Sequence, residues 1–159
     1  MNTVVRIADM TSDTIDKNGA GARQGLRPLQ LMRRFTDAAR RGDWDTGLAF
    51  LAEDIVVHVP DGSDPAGERV GKAAVRNHVE MAIAQAHGGT MQVELFERLA
   101  CDECVALRVK ERFCSQTGIV EIHRCNLYRV RAGEIVEVWI FEADQYEVDA
   151  LFRGEAAAA

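Results

Sequence analysis

The segment Val105-Ala106-Leu107-Arg108-Val109-Lys110-Glu111-Arg112-Phe113 alternates apolar and charged residues at a period of two. Val105, Leu107, Val109 and Phe113 fall on one side, with Glu111 among them, and Arg108, Lys110 and Arg112 fall on the other. Such alternation is that of a strand with one face on a core and one in water. Thr90–Leu99 precedes it and alternates through Met91, Val93 and Leu95, while Ile119–Arg131 and Ile135–Ala143 follow with the same period. A short β-branched strand, Asp54–Val59, lies upstream. Helical spacing of Leu31, Phe35, Ala38 and Ala39 predicts a helix from Pro28 to Arg41, opened by proline and closed by Gly42. Asp43-Trp44-Asp45 starts a second short helix with Leu48, Phe50 and Leu51 as its contacts, and Lys72–His87 forms a third with Val75, His78 and Val79 on its inner stripe. Asp144, three residues before Glu147, caps a last short helix ending near Phe152. Helices, a strand, a helix and then four strands define an α+β protein, a mostly antiparallel sheet with helices on one face. Curved around those helices, the sheet encloses a conical pocket.

The 159 residues carry a net charge of −6 and are 47% apolar. That length suits one domain, placed at 26–153 between a polar, glycine-containing leader at 1–25 and a short tail at 154–159. The acidic balance speaks against nucleic acid or an anionic membrane as partner. No apolar run approaches the ~18 residues of a membrane span, and Arg6 breaks the only apolar start. A cytoplasmic location is expected. Cys101 and Cys104 flank Asp102-Glu103 between two strands, and Cys114 and Cys125 form no second close pair. They read as thiols of a hairpin tip rather than a zinc site. The spacing of Gly19, Gly21 and Gly25 is not a dinucleotide fingerprint, and no metal or cofactor is expected.

Polar residues that interrupt apolar faces locate the candidate site. One face of Ile119–Arg131 reads Val120, Ile122, Arg124, Asn126, Tyr128 and Val130, and one face of the last strand reads Val136, Val138, Ile140 and Glu142. The loop Ser115–Gly118 pairs Cys114 with Ile119 and sets Glu111 opposite Ile122. A three-residue turn at Arg131-Ala132-Gly133 would pair Val130 with Glu134 and set Glu142 opposite Ile122 as well. Glu111, Ile122 and Glu142 would then form one row about 10 Å across, with Arg124 diagonal to both carboxylates. Glu111, Glu142 and Arg124 are therefore the expected catalytic residues. Asn126, Tyr128, His58, His78, Phe35, Val138 and Ile140 are the expected substrate-binding residues. His58 is included for its place in the motif at the pocket mouth, although its parity is opposite to that of Val57 and Val59. Ile135, Trp139 and Phe141 occupy the other face of the last strand, and an aromatic outer face predicts a homodimer.

Gly42-Asp43-Trp44, Glu53–Pro60, Arg129–Trp139 and Asp144-Gln145-Tyr146 occur in an order and spacing that resembles the nuclear transport factor 2-like superfamily, in its SnoaL-like polyketide cyclase and ketosteroid isomerase-like branch. The resemblance spans about residues 28–152 and implies a cone-shaped sheet around an internal pocket. It implies a cyclase or isomerase acting without cofactor on an apolar, oxygenated polyketide-type intermediate. An epoxide hydrolase and a non-catalytic small-molecule binder are the alternatives in the same superfamily. The positions that carry the ketosteroid isomerase tyrosine, base and acid fall on Phe35, Val59 and Asn126, so that enzyme's usual chemistry is not expected.

Overall fold

In the computed structural model the described residues are 27–60, 67–85, 91–115 and 118–152. The leader, the tail, His87 and the loop containing Asp61 and Asp64 lie outside them. Helix α1 (Pro28–Arg40) places Pro28 in its first turn, where its missing N–H costs nothing. It buries Leu31, Met32, Thr36, Ala38 and Ala39, and Gly42 leaves the helix at φ 69°. Helix α2 (Trp44–Leu48) starts at Asp43, whose carboxylate accepts the Thr46 N–H at 3.1 Å. That bond holds the Asp43 carboxyl below its ordinary pKa.

Strands β1 (Leu51–Val59) and β2 (Gly67–Val70) precede helix α3 (Lys72–Gln85). Strands β3 (Met91–Ala100), β4 (Cys104–Ser115), β5 (Gly118–Arg131) and β6 (Glu134–Glu142) follow, and α4 (Gln145–Phe152) closes the described chain. The sheet order is β2-β1-β6-β5-β4-β3, antiparallel except where β1 runs parallel to β6. The helices pack on one face of this curved sheet. The core there joins Leu31 and Met32 of α1 to Ile55, Val105, Leu107 and Val138 of the strands. Asp144 caps α4 by accepting the Tyr146 and Glu147 N–H groups at 3.0 and 3.2 Å.

Three sequence expectations change. Strand β2 is absent from the sequence reading, because Gly67-Glu68-Arg69-Val70 is short and half polar. It exists because β1 supplies the partner, from Val56 opposite Val70 to Val59 opposite Gly67. Leu51, expected to end a helix, begins β1.

The third change is in the β5–β6 hairpin. Its turn has two residues, with Ala132 at φ 50° and Gly133 at φ 80°, so Arg131 pairs with Glu134 instead of Val130. Twist matching favours this primed turn, against about 1–2 kcal/mol for a left-handed alanine. The ladder then slips between Arg129 and Val130: Val130 faces Ile135, but Arg129 faces Glu137, leaving Val136 as an extra residue. This bulge reverses the parity of the first residues of β6. Ile135, expected outside with Trp139 and Phe141, is fully buried in the core.

Because Ile135 is a core residue, Ile135→Ala is expected to cost about 2–4 kcal/mol. Urea unfolding checks this. A cost below about 0.5 kcal/mol, the usual surface range, would return Ile135 to the outer face.

Candidate functional site

The open side of the cone holds a cavity of about 150 Å³. Helix α1 supplies Phe35, Thr36 and Ala39 to its wall, and α3 supplies Val75, His78 and Val79. The sheet supplies Leu107, Val109, Val138 and Ile140. Against this apolar lining stand Glu111 on β4 and Arg124, Asn126 and Tyr128 on β5. Of the expected site residues, Phe35, His78, Glu111, Arg124, Asn126, Tyr128, Val138 and Ile140 are therefore brought together around one space.

Arg124 is the centre of the polar group. Its Nη1 lies 3.2 Å from Glu111 Oε2 and its Nη2 lies 3.0 Å from Glu142 Oε1. The three side chains retain only 10%, 13% and 4% of their exposure respectively. Register explains the arrangement. Glu111 sits opposite Ile122, as the β4–β5 loop predicts, so Arg124 is its diagonal neighbour. Glu142 sits directly opposite Arg124 rather than Ile122, because the two-residue turn and the bulge together displace β6 by two residues. A displacement of two preserves the face, which is why the cluster forms despite the altered pairing.

Glu142 does not line the cavity. It is packed behind Arg124, with Asp149 of α4 close enough to act on its charge. Burial pushes its pKa up to about 7; Glu111 and Asp149 add to the rise, and Arg124 opposes it. Across the cavity, burial lowers His78 to about 4, helped by the positive charges of Arg69 and Arg124. His78 is thus a neutral imidazole in the wall. Deep burial raises Tyr128 to about 12, keeping it a phenol that can donate.

Several atoms of the group lack partners. Asn126 Nδ2 donates to the Tyr128 hydroxyl at 3.2 Å, and its Oδ1 is buried without a hydrogen bond. The reversed amide would accept from Tyr128 and leave Nδ2 open, so one amide atom is available in either orientation. Arg124 Nε and Glu142 Oε2 are also buried without partners among the described residues. Phe35 packs edge-on against Tyr128, with ring centroids 5.8 Å apart, and fixes that end of the wall.

His58 is a correction. It lies on the outer face of β1, where Nε2 is 2.9 Å from Glu137, Nδ1 is 3.3 Å from Glu68, and the ring stacks on Trp139 at 5.1 Å. Strand parity decides this, since Val57 and Val59 take the inner side. Arg129 covers the Trp139 ring at 5.0 Å, so Phe141, 55% exposed, is the open aromatic of that face. Cys101 and Cys104 are free thiols at the β3–β4 tip, joined by a 2.8 Å backbone hydrogen bond. Among the described residues no group of His, Cys, Asp and Glu is arranged to hold a metal ion, and no helix is long and apolar enough to cross a membrane. Thr36, Trp44 and Arg40 also line the cavity and were not read from the sequence. The Thr36 hydroxyl is turned to its own helix, bonding Met32 O at 2.8 Å, which lets a polar residue sit in an apolar wall.

A curved, mostly antiparallel sheet around helices, with a pocket on its concave side, defines the nuclear transport factor 2-like class. The sequence model of the SnoaL-like domain matches residues 32–138, and the chain belongs to that family. No curated protein matches the sequence. Among solved structures, Bal32a from a soil-derived mobile gene cassette aligns with a TM-score of 0.72 at 21% identity, over 79% of this chain and 95% of its own. TerC, co-crystallised with polyporic acid, aligns with a TM-score of 0.68 at 15% identity, over 79% and 97%. IdmH of Streptomyces antibioticus, a candidate polyketide cyclase, aligns with a TM-score of 0.64 at 21% identity, over 74% and 93%. At such identities the likeness is one of fold.

The raised Glu142 has a consequence for stability. Between the ordinary glutamate value of 4.5 and about 7, the folded protein holds a proton that the unfolded chain releases. Stability contributed by this group is complete below 4.5 and is lost as pH rises through 7. Glu142→Gln should flatten the stability profile over that window and gain on the order of 2–3 kcal/mol at pH 7.5. Urea midpoints measured from pH 4.5 to 8 check this; parallel profiles for the two proteins would refute it.

Proposed function

We propose that the protein is a cofactor-independent isomerase or cyclase acting on an apolar, oxygenated polyketide-type intermediate. The observation that carries this reading is the gathering of Glu111, Arg124 and Asn126 on one wall of an otherwise apolar cavity. Glu111 is the carboxylate placed to touch a guest, and it takes the role of proton acceptor and donor. Arg124 and the Asn126 amide, reversed so that Oδ1 accepts from Tyr128 and Nδ2 is open, donate to a carbonyl oxygen, stabilising the negative charge that forms when an adjacent C–H proton moves to Glu111. The proton then returns to another carbon, or the enolate carbon closes a ring onto a second carbonyl. Holding both ends of the reacting chain in the cavity supplies part of the rate. Glu142 is a positioning residue: it fixes Arg124 from behind, and its proton sets the net charge of the trio.

SnoaL-like membership and the polyketide cyclase among the fold neighbours support the reading. The epoxide-opening alternative, as the superfamily resemblance implies it, draws on two carboxylates and a guanidinium around one substrate. Here only Glu111 and Arg124 of the trio line the cavity, which favours proton transfer. The same proposal includes a homodimer, formed through the outer face at Phe141. Light scattering tests it, and a clean monomer would remove that part.

Incubation with oxygenated polyketide-type intermediates, followed by mass spectrometry and NMR, tests the activity. Glu111→Gln should lower kcat by about 10²–10⁴-fold, and Arg124→Gln should impair it comparably. Glu142→Gln should retain more activity and shift the pH profile. Unaltered turnover in both Glu111→Gln and Arg124→Gln would defeat the acid–base role. Tight binding with no product would mark a carrier, and labelled water appearing in a diol would mark an epoxide hydrolase.

A further inference from the structure

A second, larger cavity of about 640 Å³ opens beside the first, between α1 and the edge strand β3. The two spaces share a boundary made by Arg40, Val93 and Leu95. Their characters differ. The inner one is apolar apart from the group described above, whereas the outer one presents three guanidinium groups, Arg33, Arg40 and Arg98. Two local features gather them. Along α1, Arg33, Asp37 and Arg40 follow at i, i+4 and i+7 and so share one stripe facing β3. Along β3, a bulge at Phe96 breaks the alternation: Leu95 pairs with Val109, but Glu97 pairs with Arg108. Beyond it Arg98 stands opposite the core residue Leu107 and points inward, while Leu99 turns out and is 56% exposed.

Two acidic residues, Asp37 and Glu94, are also among those lining the outer cavity. Glu94 is engaged by Lys110 at 3.0 Å, on the far face of the sheet. Asp37 remains as a local counter-charge, set in this lining against the guanidinium groups of Arg33, Arg40 and Arg98. Arg40, the residue common to both cavities, makes no ion pair among the described residues. The inner volume, about 150 Å³, is that of a space able to hold one benzene-sized ring. A guest larger than one ring must extend beyond it, and of the two spaces that share lining residues with it the outer cavity is the larger, about 640 Å³ against about 290 Å³.

We propose that the outer cavity is a carboxylate-binding subsite, and that the guest is an amphiphilic carboxylate. Its apolar, oxygenated end lies against Glu111, Arg124 and Asn126, and its anionic end lies among Arg33, Arg40 and Arg98. This rests on the inner cavity being the substrate site, as proposed above. Guanidinium forks match carboxylates in bidentate geometry, and a site beside a low-dielectric wall strengthens the pairing. The subsite selects for a free acid over its ester, amide or alcohol. It also fixes which end of the guest reaches Glu111.

The test uses paired probes with the same apolar body, ω-phenylalkanoates and the matching ω-phenylalkanols with three to six methylenes, titrated calorimetrically into the full chain. The acid is expected to bind about tenfold more tightly than the alcohol at the optimal length, and the advantage should shrink as salt rises. Arg98→Gln, which changes only the outer cavity, should cut the preference severalfold while leaving alcohol affinity within about twofold. Adding Arg40→Gln should abolish it. Equal affinity of acid and alcohol for the unmodified protein would overturn the subsite and leave the inner cavity's role standing. A preference that survives the double substitution would also overturn it. Failure of both probes to bind would remove the inner-cavity reading, and this one with it.

Discussion

A buried guanidinium shared by two carboxylates is the constraint around which the concave side is organised. Arg124 within an apolar wall would be strongly unfavourable alone, and so would either glutamate. Together they neutralise one another, with Glu111 at 3.2 Å and Glu142 at 3.0 Å. The trio nevertheless carries one more negative than positive group when both carboxylates are ionised, and burial does not tolerate that excess. Burial accordingly raises Glu142 to about 7, so that near neutral pH it is divided between its protonated and ionised forms.

That arrangement depends on three strands keeping register, and two irregularities control what they present. The bulge in β6 turns Ile135 into the core while leaving Val138 and Ile140 on the cavity side. The bulge in β3 turns Arg98 inward at a level where α1 offers Arg33 and Arg40. In both cases one extra residue changes the face of everything beyond it, so a single local distortion assigns several side chains at once. The outer face of the sheet carries charge of its own: Lys110, Arg112 and Glu121 pair there, and His58, Trp139 and Arg129 stack.

Much of this was legible in the chain. The period-two run of β4 and the short Ser115–Gly118 loop predict the Glu111–Ile122 pairing, which the ladder contains. Helical spacing in α1 and α3 places Phe35 and His78 toward the pocket, where both are found. The β6 pairing was less legible, because alanine at a left-handed position runs against local preference and only the combined strand twist and ladder favour it. The parity of His58 already pointed outward, and β1 keeps it there. Neither bulge leaves a signature in composition. The sequence alone assigns no role to Arg33 and Arg40 of α1; β3, placed beside them, gathers them with Arg98.

Alone, then, the order of residues determined the layering, the strand periods and the identity of the polar residues on the inner face. These follow from alternation and capping, which act between near neighbours. Which carboxylate meets the cavity and which stands behind Arg124, which side Ile135 and Arg98 take, and how two cavities come to share Arg40 were decided only in three dimensions. Those outcomes depend on slips of one or two residues between strands distant in sequence. Such slips are resolved by total core packing and charge pairing, quantities that no local stretch of chain contains.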